Sequence, residues 1–204
     1  MDIIGRVLKL SFLKRFFHKL TELGQKPPSG KLVFVGLPHS GKTTIVNRLL
    51  TGKFSNPTRT MGLNVDSVTF EGMEFQTYDM GGQLAFRELW EAHVSTATAV
   101  VYTIDSAEPT LFAESHEALQ ECLVQIPGKS LLVILANKLD LADSVSLATI
   151  IKTFEWHEIQ TKHDFRAINL FEMSTKTGEN FDEAFQWLFE TIIRTSQKKS
   201  QFES

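Results

Sequence analysis

The most specific chemical signal in the sequence is a glycine-rich segment at residues 36–43, which reads GLPHSGKT. It matches the pattern G-x-x-x-x-G-K-[ST], in which a loop between a strand and a helix turns backbone N–H groups toward phosphate oxygens. In such a loop Lys42 reaches the β- and γ-phosphates, and the Thr43 hydroxyl is a ligand for Mg²⁺. The alternative is a glycine turn without a ligand, which the strand before the loop and the helix after it disfavour. The candidate phosphate-binding residues are Gly36, Ser40, Gly41, Lys42, Thr43 and Thr44.

This loop alone does not distinguish ATP from GTP, and the segment Asn137-Lys138-Leu139-Asp140 supplies the distinction. A carboxylate such as that of Asp140 accepts hydrogen bonds from both guanine N1–H and the exocyclic amine, a donor pair that adenine lacks. With ATP the carboxylate would lack both donors, which costs about 1–3 kcal/mol or more. Asn137 is expected to tie this segment to the phosphate loop, and the Lys138 stem to cover the base. A third segment, Ser174, Thr175 and Lys176, follows the last predicted strand and offers backbone N–H groups to guanine O6.

A further candidate group at residues 79–83 would sense the γ-phosphate. Asp79 ends an apolar strand and would hold Mg²⁺ through a water molecule. The Gly82 amide would contact the γ-phosphate, and Gln83 would orient the attacking water, so that Gln83 and Lys42 are the candidate catalytic residues. Thr60 is the candidate for a second hydroxyl on Mg²⁺. An Asp-x-Gly-Gly sequence can also be only a tight turn, and the accompanying motifs disfavour that interpretation.

Strand and helix patterns alternate along the chain between these motifs. Predicted strands are 31–36, 65–70, 74–79, 97–105, 131–137 and 167–173, with 65–70 and 74–79 joined as a hairpin. Predicted helices are 42–50, 111–125, 148–154 and 181–194. This alternation predicts an α/β fold with a doubly wound, mostly parallel six-stranded sheet covered by helices on both faces. The predicted organisation is an N-terminal extension at 1–24, a linker at 25–30, one globular domain at 31–195 and a frayed polar tail at 196–204.

The charge of the chain is unevenly distributed. The net charge is −3 over 204 residues, but residues 1–20 contain five basic side chains against one acidic side chain, so the remainder carries −7. An acidic body argues against nucleic-acid binding. Apolar residues at helical spacing, from Leu10 to Leu23, predict an amphipathic helix in the basic segment, which suits an anionic membrane surface. No apolar run is long enough for a transmembrane helix, and no signal-peptide pattern is present. The single cysteine, Cys122, excludes an internal disulfide and fits a reducing compartment.

Taken together, these motifs resemble the Arf/Arf-like/Sar family of small GTPases. The resemblance spans residues 31–195 and rests on G-K-T-T at 41–44, T-M-G-L-N-V at 60–65, D-M-G-G-Q at 79–83, R-E-L-W at 87–90 and N-K-L-D at 137–140. It implies a cytoplasmic, reversibly membrane-associated GTPase that binds GTP, GDP and Mg²⁺ and acts in membrane recruitment or trafficking of effectors. It also implies an exchange factor, an activating protein and effector partners. By the same resemblance, movement of the hairpin at 63–79 releases the N-terminal helix onto membrane.

Several residues depart from the family pattern. Residue 2 is Asp, so the N-myristoylation signal is absent and membrane affinity would rest on apolar insertion and basic charge. Pro38 stands where the family usually has Asp, and its missing N–H bears on hydrolysis. The effector-binding aromatic trio corresponds here to Leu63, Tyr78 and His93, and His93 is expected to be a partly solvated surface residue.

Three alternatives to this interpretation remain. A protein in which Pro38 disables hydrolysis would be a non-cycling nucleotide-bound scaffold at a membrane. A P-loop ATPase or nucleotide kinase is disfavoured by Asp140. The apolar face of the N-terminal helix would alternatively dock permanently on the body of the protein.

In the leading interpretation unaided hydrolysis should be slow, because no arginine finger is evident in cis: Arg59 and Arg87 suit packing or partner binding better.

Overall fold

A six-stranded, mostly parallel sheet forms the centre of the fold in a computed structural model, which describes residues 29–57, 62–70 and 73–202. Its strands are β1 Gly30–Val35, β2 Leu63–Phe70, β3 Met73–Met80, β4 Ala99–Asp105, β5 Leu131–Asn137 and β6 Ala167–Glu172. The strand order is β2-β3-β1-β4-β5-β6, in which only the β2–β3 pair is antiparallel. The predicted fold class and the predicted hairpin are therefore confirmed.

Six α-helices follow the strands in the described part of the chain. They are α1 Lys42–Thr51, α2 Leu84–Val94, α3 Phe112–Leu123, α4 Leu147–Thr153, α5 Trp156–Lys162 and α6 Phe181–Phe202, and a short 3₁₀ turn at Pro109–Leu111 precedes α3. Two helices, α2 and α5, have no counterpart among the predicted elements. Glu155 has a left-handed backbone (φ 51°) that separates α5 from α4. The closing helix extends well beyond the predicted end at residue 194 into the segment predicted to be a frayed tail.

The central strands β1, β4 and β5 are buried on both faces because most of their side chains are apolar. Along β1, Val33 and Val35 contact one core, which α2, α3, α4 and α5 complete. The alternating residues Leu32 and Phe34 contact a second core, which α1 and α6 complete. This alternation is the two-residue period of a strand, and helices on both faces explain why the strands read as continuous apolar runs.

The topology brings five strand ends to one edge of the sheet. Strands β3, β4, β5 and β6 all run parallel to β1, so their carboxyl ends and that of β1 lie on the same side. In open α/β sheets, ligands bind outside these carboxyl ends. The predicted motifs lie at four of these ends: residues 36–43 follow β1, 79–83 begin in the last residues of β3, 137–140 begin with the last residue of β5, and 174–176 come after β6.

Three predicted features fall on residues outside the described ranges. They are the N-terminal helix at 1–24, most of the linker and Thr60; of the linker, Ser29 and Gly30 are described, and Gly30 is the first residue of β1. Within the described residues, no helix is both long enough and apolar enough to cross a membrane.

Candidate functional site

A cleft of about 340 Å³ lies at the carboxyl edge of the sheet. Residues from the four motif loops at 36–43, 79–83, 137–140 and 174–176 line it. Both Lys42 and Asp140 face this cleft, so the phosphate motif and the base motif share one cavity. Further lining residues are Pro38, His39, Gly41, Thr43, Thr44, Phe54, Asn56, Pro57, Met80, Gly81, Gly82, Gln83, Asn137, Lys138, Leu141, Thr175 and Lys176.

Two glycines give the loop at 36–43 its shape. Gly36 has φ 138° and Gly41 has φ 101°, conformations that residues with a Cβ rarely adopt. A Cβ on Gly36 would lie 2.3 Å from the Thr103 carbonyl oxygen, and a Cβ on Gly41 would lie 2.3 Å from Asn137 Nδ2. The loop therefore packs backbone to backbone against β4 and directly against the base motif, which only glycine permits.

The Lys42 amine is buried and donates hydrogen bonds inside its own loop. Its Nζ lies 3.0 Å from the Gly36 carbonyl oxygen and 2.8 Å from the Leu37 carbonyl oxygen. Burial lowers the pKa of Lys42 to about 8, and the negative charge of Asp79 opposes part of that shift. A buried cation held mainly by neutral carbonyls is electrostatically undercompensated, so anionic phosphate oxygens fit this position. The buried Ser40 Oγ also has no hydrogen-bond partner among the described residues, which is a second polar atom suited to a ligand.

The lowered pKa of Lys42 makes the stability of the nucleotide-free protein depend on pH. Between about 8 and 10.5 the unfolded state retains the lysine proton and the folded state does not, so raising the pH favours the folded state. Below about pH 8 both states are protonated and this contribution is constant. Relative to Lys42→Met, the free energy of unfolding of the wild type should rise by about 2 kcal/mol from about pH 7.5 to about pH 9.5. Urea unfolding at both pH values measures the difference; a constant difference would contradict the prediction.

Thr43 and Asp79 bring two oxygen ligands together beside Lys42. The Thr43 hydroxyl donates to Asp79 Oδ2 at 2.5 Å, and Asp79 is almost fully buried at the end of β3. The described residues contain no cluster of three His, Cys, Asp or Glu side chains around a common point. A hydroxyl and a carboxylate suit Mg²⁺, which usually keeps several waters and takes other ligands from substrate phosphates.

The glycines at 81 and 82 place the candidate γ-phosphate sensor, residues 79–83, against the candidate phosphate loop at 36–43. A Cβ on Gly82 would lie 2.3 Å from the Gly36 carbonyl oxygen, so the two backbones are in direct contact. The Gly81 N–H donates to the Gly62 carbonyl at 2.7 Å, and Trp90 Nε1 donates to the Gly81 carbonyl at 3.3 Å. The sensor is thus connected to the start of β2 and to the core under α2. Gln83 follows directly, lines the cleft and precedes the first residue of α2.

Asn137 is the residue that joins the three motif loops. Its Nδ2 donates to the Ser40 carbonyl at 2.9 Å, and its Oδ1 accepts from the Thr175 N–H at 3.0 Å and from the Thr175 hydroxyl at 2.8 Å. One buried amide therefore uses its donor on the phosphate loop and its acceptor on the loop after β6. This is the bridging position that the sequence predicts for Asn137.

The Asp140 carboxylate is oriented by the loop after β6. Its Oδ1 accepts from the Ser174 hydroxyl at 2.6 Å, and its Oδ2 lies 3.6 Å from Lys176 Nζ. A carboxylate fixed in this way at the cleft has lone pairs available for two parallel N–H donors. The arrangement fits the edge of guanine that carries N1–H and the exocyclic amine.

Asp105 is a site residue that sequence reasoning missed. It ends β4 beside Asn137 in the sheet register, and its Oδ2 accepts from Lys138 Nζ at 2.5 Å. This bond holds the Lys138 side chain, whose backbone is left-handed (φ 71°), against the end of β4. An acidic residue at the carboxyl end of a buried strand was the available signal, because neighbouring parallel strands end at the same edge.

Comparison with known proteins gives the family. The sequence model of the ADP-ribosylation factor family matches residues 16–192. The chain belongs to that family. Over 164 aligned residues the chain is 32% identical to ADP-ribosylation factor-like protein 1 of Drosophila melanogaster. The alignment covers 79% of this chain and 88% of that protein. Over 181 aligned residues it is 29% identical to the small COPII coat GTPase SAR1 of Giardia intestinalis. That alignment covers 85% of this chain and 95% of that protein.

A solved structure in the same family has the same fold. The Arl6 small GTPase of Trypanosoma brucei, with a bound nucleotide analogue, GppNp, superposes with a TM-score of 0.72 at 28% identity and covers 82% of this chain and 99% of that one. As a member of the ADP-ribosylation factor family, the protein is a GTPase that binds GTP and GDP with Mg²⁺.

Two of the residues that depart from the ADP-ribosylation factor pattern, Tyr78 of β3 and His93 of α2, form a cluster with Lys31 of β1. The Tyr78 and His93 rings lie 4.9 Å apart, and Lys31 Nζ lies 4.4 Å from the Tyr78 ring centroid. The same amine lies 3.2 Å from His93 Nδ1. Burial and the neighbouring Lys31 charge lower the pKa of His93. His93 is therefore partly buried and in contact with a cation, so this surface differs in chemistry from a purely aromatic one.

Proposed function

We propose that this protein is a membrane-recruited switch that hydrolyses GTP slowly and in a Mg²⁺-dependent manner. The observation that carries the proposal is the single cleft lined by both Lys42 and Asp140, with Asn137 bonded to the loops on either side. The relatives include a coat GTPase and an ADP-ribosylation factor-like protein, which supports a role in recruiting effectors to membranes during trafficking.

The proposed binding roles follow from the chemistry of each loop. The Lys42 amine would move from the carbonyls of its own loop to phosphate oxygens, and amides of the loop at 36–44, where Pro38 has none, would donate to the same anion. Thr43, Asp79 and Thr60 would hold Mg²⁺, Asp79 through a water molecule. The metal would supply neutralisation of the charge that develops on the β- and γ-phosphate oxygens. Asp140 and the loop at 174–176, through its Lys176 N–H, would bind guanine, with the Lys138 stem against its face.

In the proposed reaction Gln83 positions a water molecule for attack on the γ-phosphorus. The bond from the γ-phosphorus to the β–γ bridging oxygen breaks, giving GDP and inorganic phosphate, and the Gly82 amide steadies the transferred group. Gln83 is a neutral amide, so it orients the water rather than removing its proton. Loss of the γ-phosphate would then remove the contacts that hold residues 60 and 79–83, which is the proposed switch.

Slow unaided hydrolysis is proposed because the described residues offer no arginine beside the phosphate positions. The Arg87 guanidinium donates to Glu114 and links α2 to α3, which supports a packing role. An activating protein would supply an arginine in trans and accelerate hydrolysis on the order of 10³–10⁵-fold. An exchange factor and effectors would complete the cycle. The β2–β3 hairpin is bonded to the segment at 79–83 through the Gly81 N–H and the Gly62 carbonyl, and it would couple the nucleotide state to residues 1–24.

The hydrolytic proposal is tested by replacing Gln83 with Leu. Single-turnover hydrolysis of GTP by Gln83→Leu should be about 10²-fold slower than by the wild type, because the attacking water loses its orienting group. GTP affinity should be unchanged, which separates chemistry from binding. Equal rates for the two proteins would instead favour the non-cycling scaffold in which Pro38 disables hydrolysis.

The membrane proposal is tested by flotation of the full-length protein with vesicles. Protein loaded with a non-hydrolysable GTP analogue should float with vesicles containing anionic lipid, and GDP-loaded protein should float less. A variant with Phe12, Phe16 and Phe17 replaced by serine keeps the basic charge and should lose binding, as should deletion of residues 1–24. Flotation in neither state, or no loss on deletion, would overturn this proposal and favour a permanently docked segment.

A further inference from the structure

Arg48 is a charged residue of α1 that contacts the base-binding side of the site. It lies in the last turn of the helix, which begins at Lys42. Its guanidinium NH1 donates to the Thr175 carbonyl at 2.5 Å and to the Lys176 carbonyl at 3.1 Å. The guanidinium also lies over the Phe181 ring, 5.1 Å from the ring centroid, at the start of α6. One side chain therefore connects the far end of the phosphate-binding helix to two consecutive peptide groups of the loop after β6.

These two hydrogen bonds fix the orientation of the peptide planes in that loop. A trans peptide is planar, so its N–H points opposite to its C=O. When Arg48 draws the Thr175 carbonyl toward α1, the N–H of Lys176 is turned the other way. Thr175 and Lys176 both line the cleft. The Ser174 N–H donates to the Glu179 carbonyl at 3.0 Å and the Thr175 N–H to Asn137 Oδ1, so the Lys176 N–H is the amide of this segment left for a ligand. Arg48 thus holds the carbonyl of the peptide group whose N–H is available to a bound base.

The remaining bonds of the loop do not replace this contact. Asn137 Oδ1 binds the N–H and hydroxyl of Thr175, and the Ser174 hydroxyl oxygen accepts from the Thr177 N–H at 3.0 Å. Each of these bonds engages a donor, while Arg48 engages the carbonyl oxygens at 175 and 176. A guanidinium presents several donors in a rigid plane and stacks on an aromatic face, which the point charge of a lysine ammonium does less well.

We propose that Arg48 is a positioning residue for guanine recognition. It holds the loop at 174–176 so that the Lys176 N–H meets the oxygen at C6 of the base. The inference rests on the proposed base-binding role of this loop, and it adds a residue that does not itself touch the nucleotide. Because Arg48 and Lys42 share helix α1, a determinant of base selectivity then lies on the same helix as the residue that binds phosphate.

The test measures the affinities of three nucleotides for the wild type, Arg48→Ala and Arg48→Lys. GDP carries the C6 oxygen and the exocyclic amine; 6-thio-GDP replaces the oxygen with sulfur, a weaker acceptor; IDP keeps the oxygen and lacks the amine. In Arg48→Ala, GDP affinity should fall roughly three- to tenfold, the scale of one or two hydrogen bonds. The preference for GDP over 6-thio-GDP should shrink, and the preference for GDP over IDP, set by Asp140, should remain. Arg48→Lys should be intermediate.

The matched control is Arg194→Ala, which removes an exposed arginine of α6 and should leave all three affinities unchanged. Equal losses for GDP, 6-thio-GDP and IDP in Arg48→Ala would assign Arg48 a general structural role and overturn the inference, as would no loss at all. If Arg48→Ala does not fold, Arg48→Lys provides the same ratios. A wild-type protein that binds GDP and ADP equally would overturn the proposed guanine site itself, an outcome separate from any change in these ratios.

Discussion

Replacing Asp140 with Asn is expected to change the base preference of the cleft from guanine to xanthine. Xanthine keeps N1–H but carries a carbonyl in place of the exocyclic amine, so it requires one acceptor and one donor from the protein. The introduced amide would supply both, with its oxygen retaining the hydrogen bond from Ser174 that Asp140 Oδ1 accepts now. Guanine would meet an amide N–H with its own amine, which leaves two donors facing each other.

The expected change in affinity is large because the side chain at residue 140 and the edge of the base are both removed from water when the nucleotide binds. A site built to bind a polar group rejects a mismatched analogue by about 10⁴-fold. We therefore expect GDP affinity to fall by roughly 10³-fold or more and XDP affinity to rise by a comparable factor. Competition with a fluorescent GDP measures both. Asp143→Asn, an exposed neighbour outside the cleft, is the control and should change neither. ATP affinity equal to GTP affinity in the wild type would contradict the assignment and revive the ATPase alternative.

Replacing Lys42 with Met is expected to remove most of the nucleotide affinity. The buried amine is the cation at the centre of the loop, and charge-assisted hydrogen bonds contribute about 1.5–3 kcal/mol each. Loss of two such bonds corresponds to a decrease in GTP affinity on the order of 10³-fold. Methionine keeps the length of the side chain, so the packing of α1 should survive and circular dichroism should be unchanged.

The control for Lys42 is Lys53→Met, which removes an exposed lysine just beyond α1 and should bind GTP as the wild type does. The measurement is the nucleotide that co-purifies with each protein, followed by titration calorimetry after its removal. Lys42→Met that retains stoichiometric GDP through purification would show that the amine binds only its own loop. That result would remove the basis for a phosphate site at residues 36–43.

The sequence predicted the sheet and the motif loops because both depend on local patterns. Apolar runs such as LLVILAN at 131–137 predict buried strands, and the glycines at 36 and 41 stand at the fixed positions of the phosphate-loop pattern. Helix α5 escaped prediction because neither Gly nor Pro separates it from α4, and the break comes from one left-handed residue, Glu155. The extension of α6 was not predicted because residues 195–201 are all polar and so carry no apolar periodicity.

The site residues that the sequence missed act over long separations. Arg48 and Thr175 are 127 positions apart, and Asp105 and Lys138 are 33 apart. Neither spacing belongs to a helix or strand period, so only the packed sheet brings these partners together. The positions of Asp140 and Lys42 at the cleft were predictable because each belongs to a short motif with its own chemistry, whereas Arg48 acquires its contact from the fold.

The amide of Asn137 has a consequence for ligands that occupy only part of the cleft. Because one side chain is bonded to Ser40 and to Thr175, ordering either loop lowers the entropy lost when the other is ordered. Guanosine and pyrophosphate, offered as separate molecules, should therefore enhance each other's affinity reciprocally. A small fragment would gain potency from an occupied neighbouring subsite without touching it, and an inhibitor that spans both subsites would gain more than the sum of its halves.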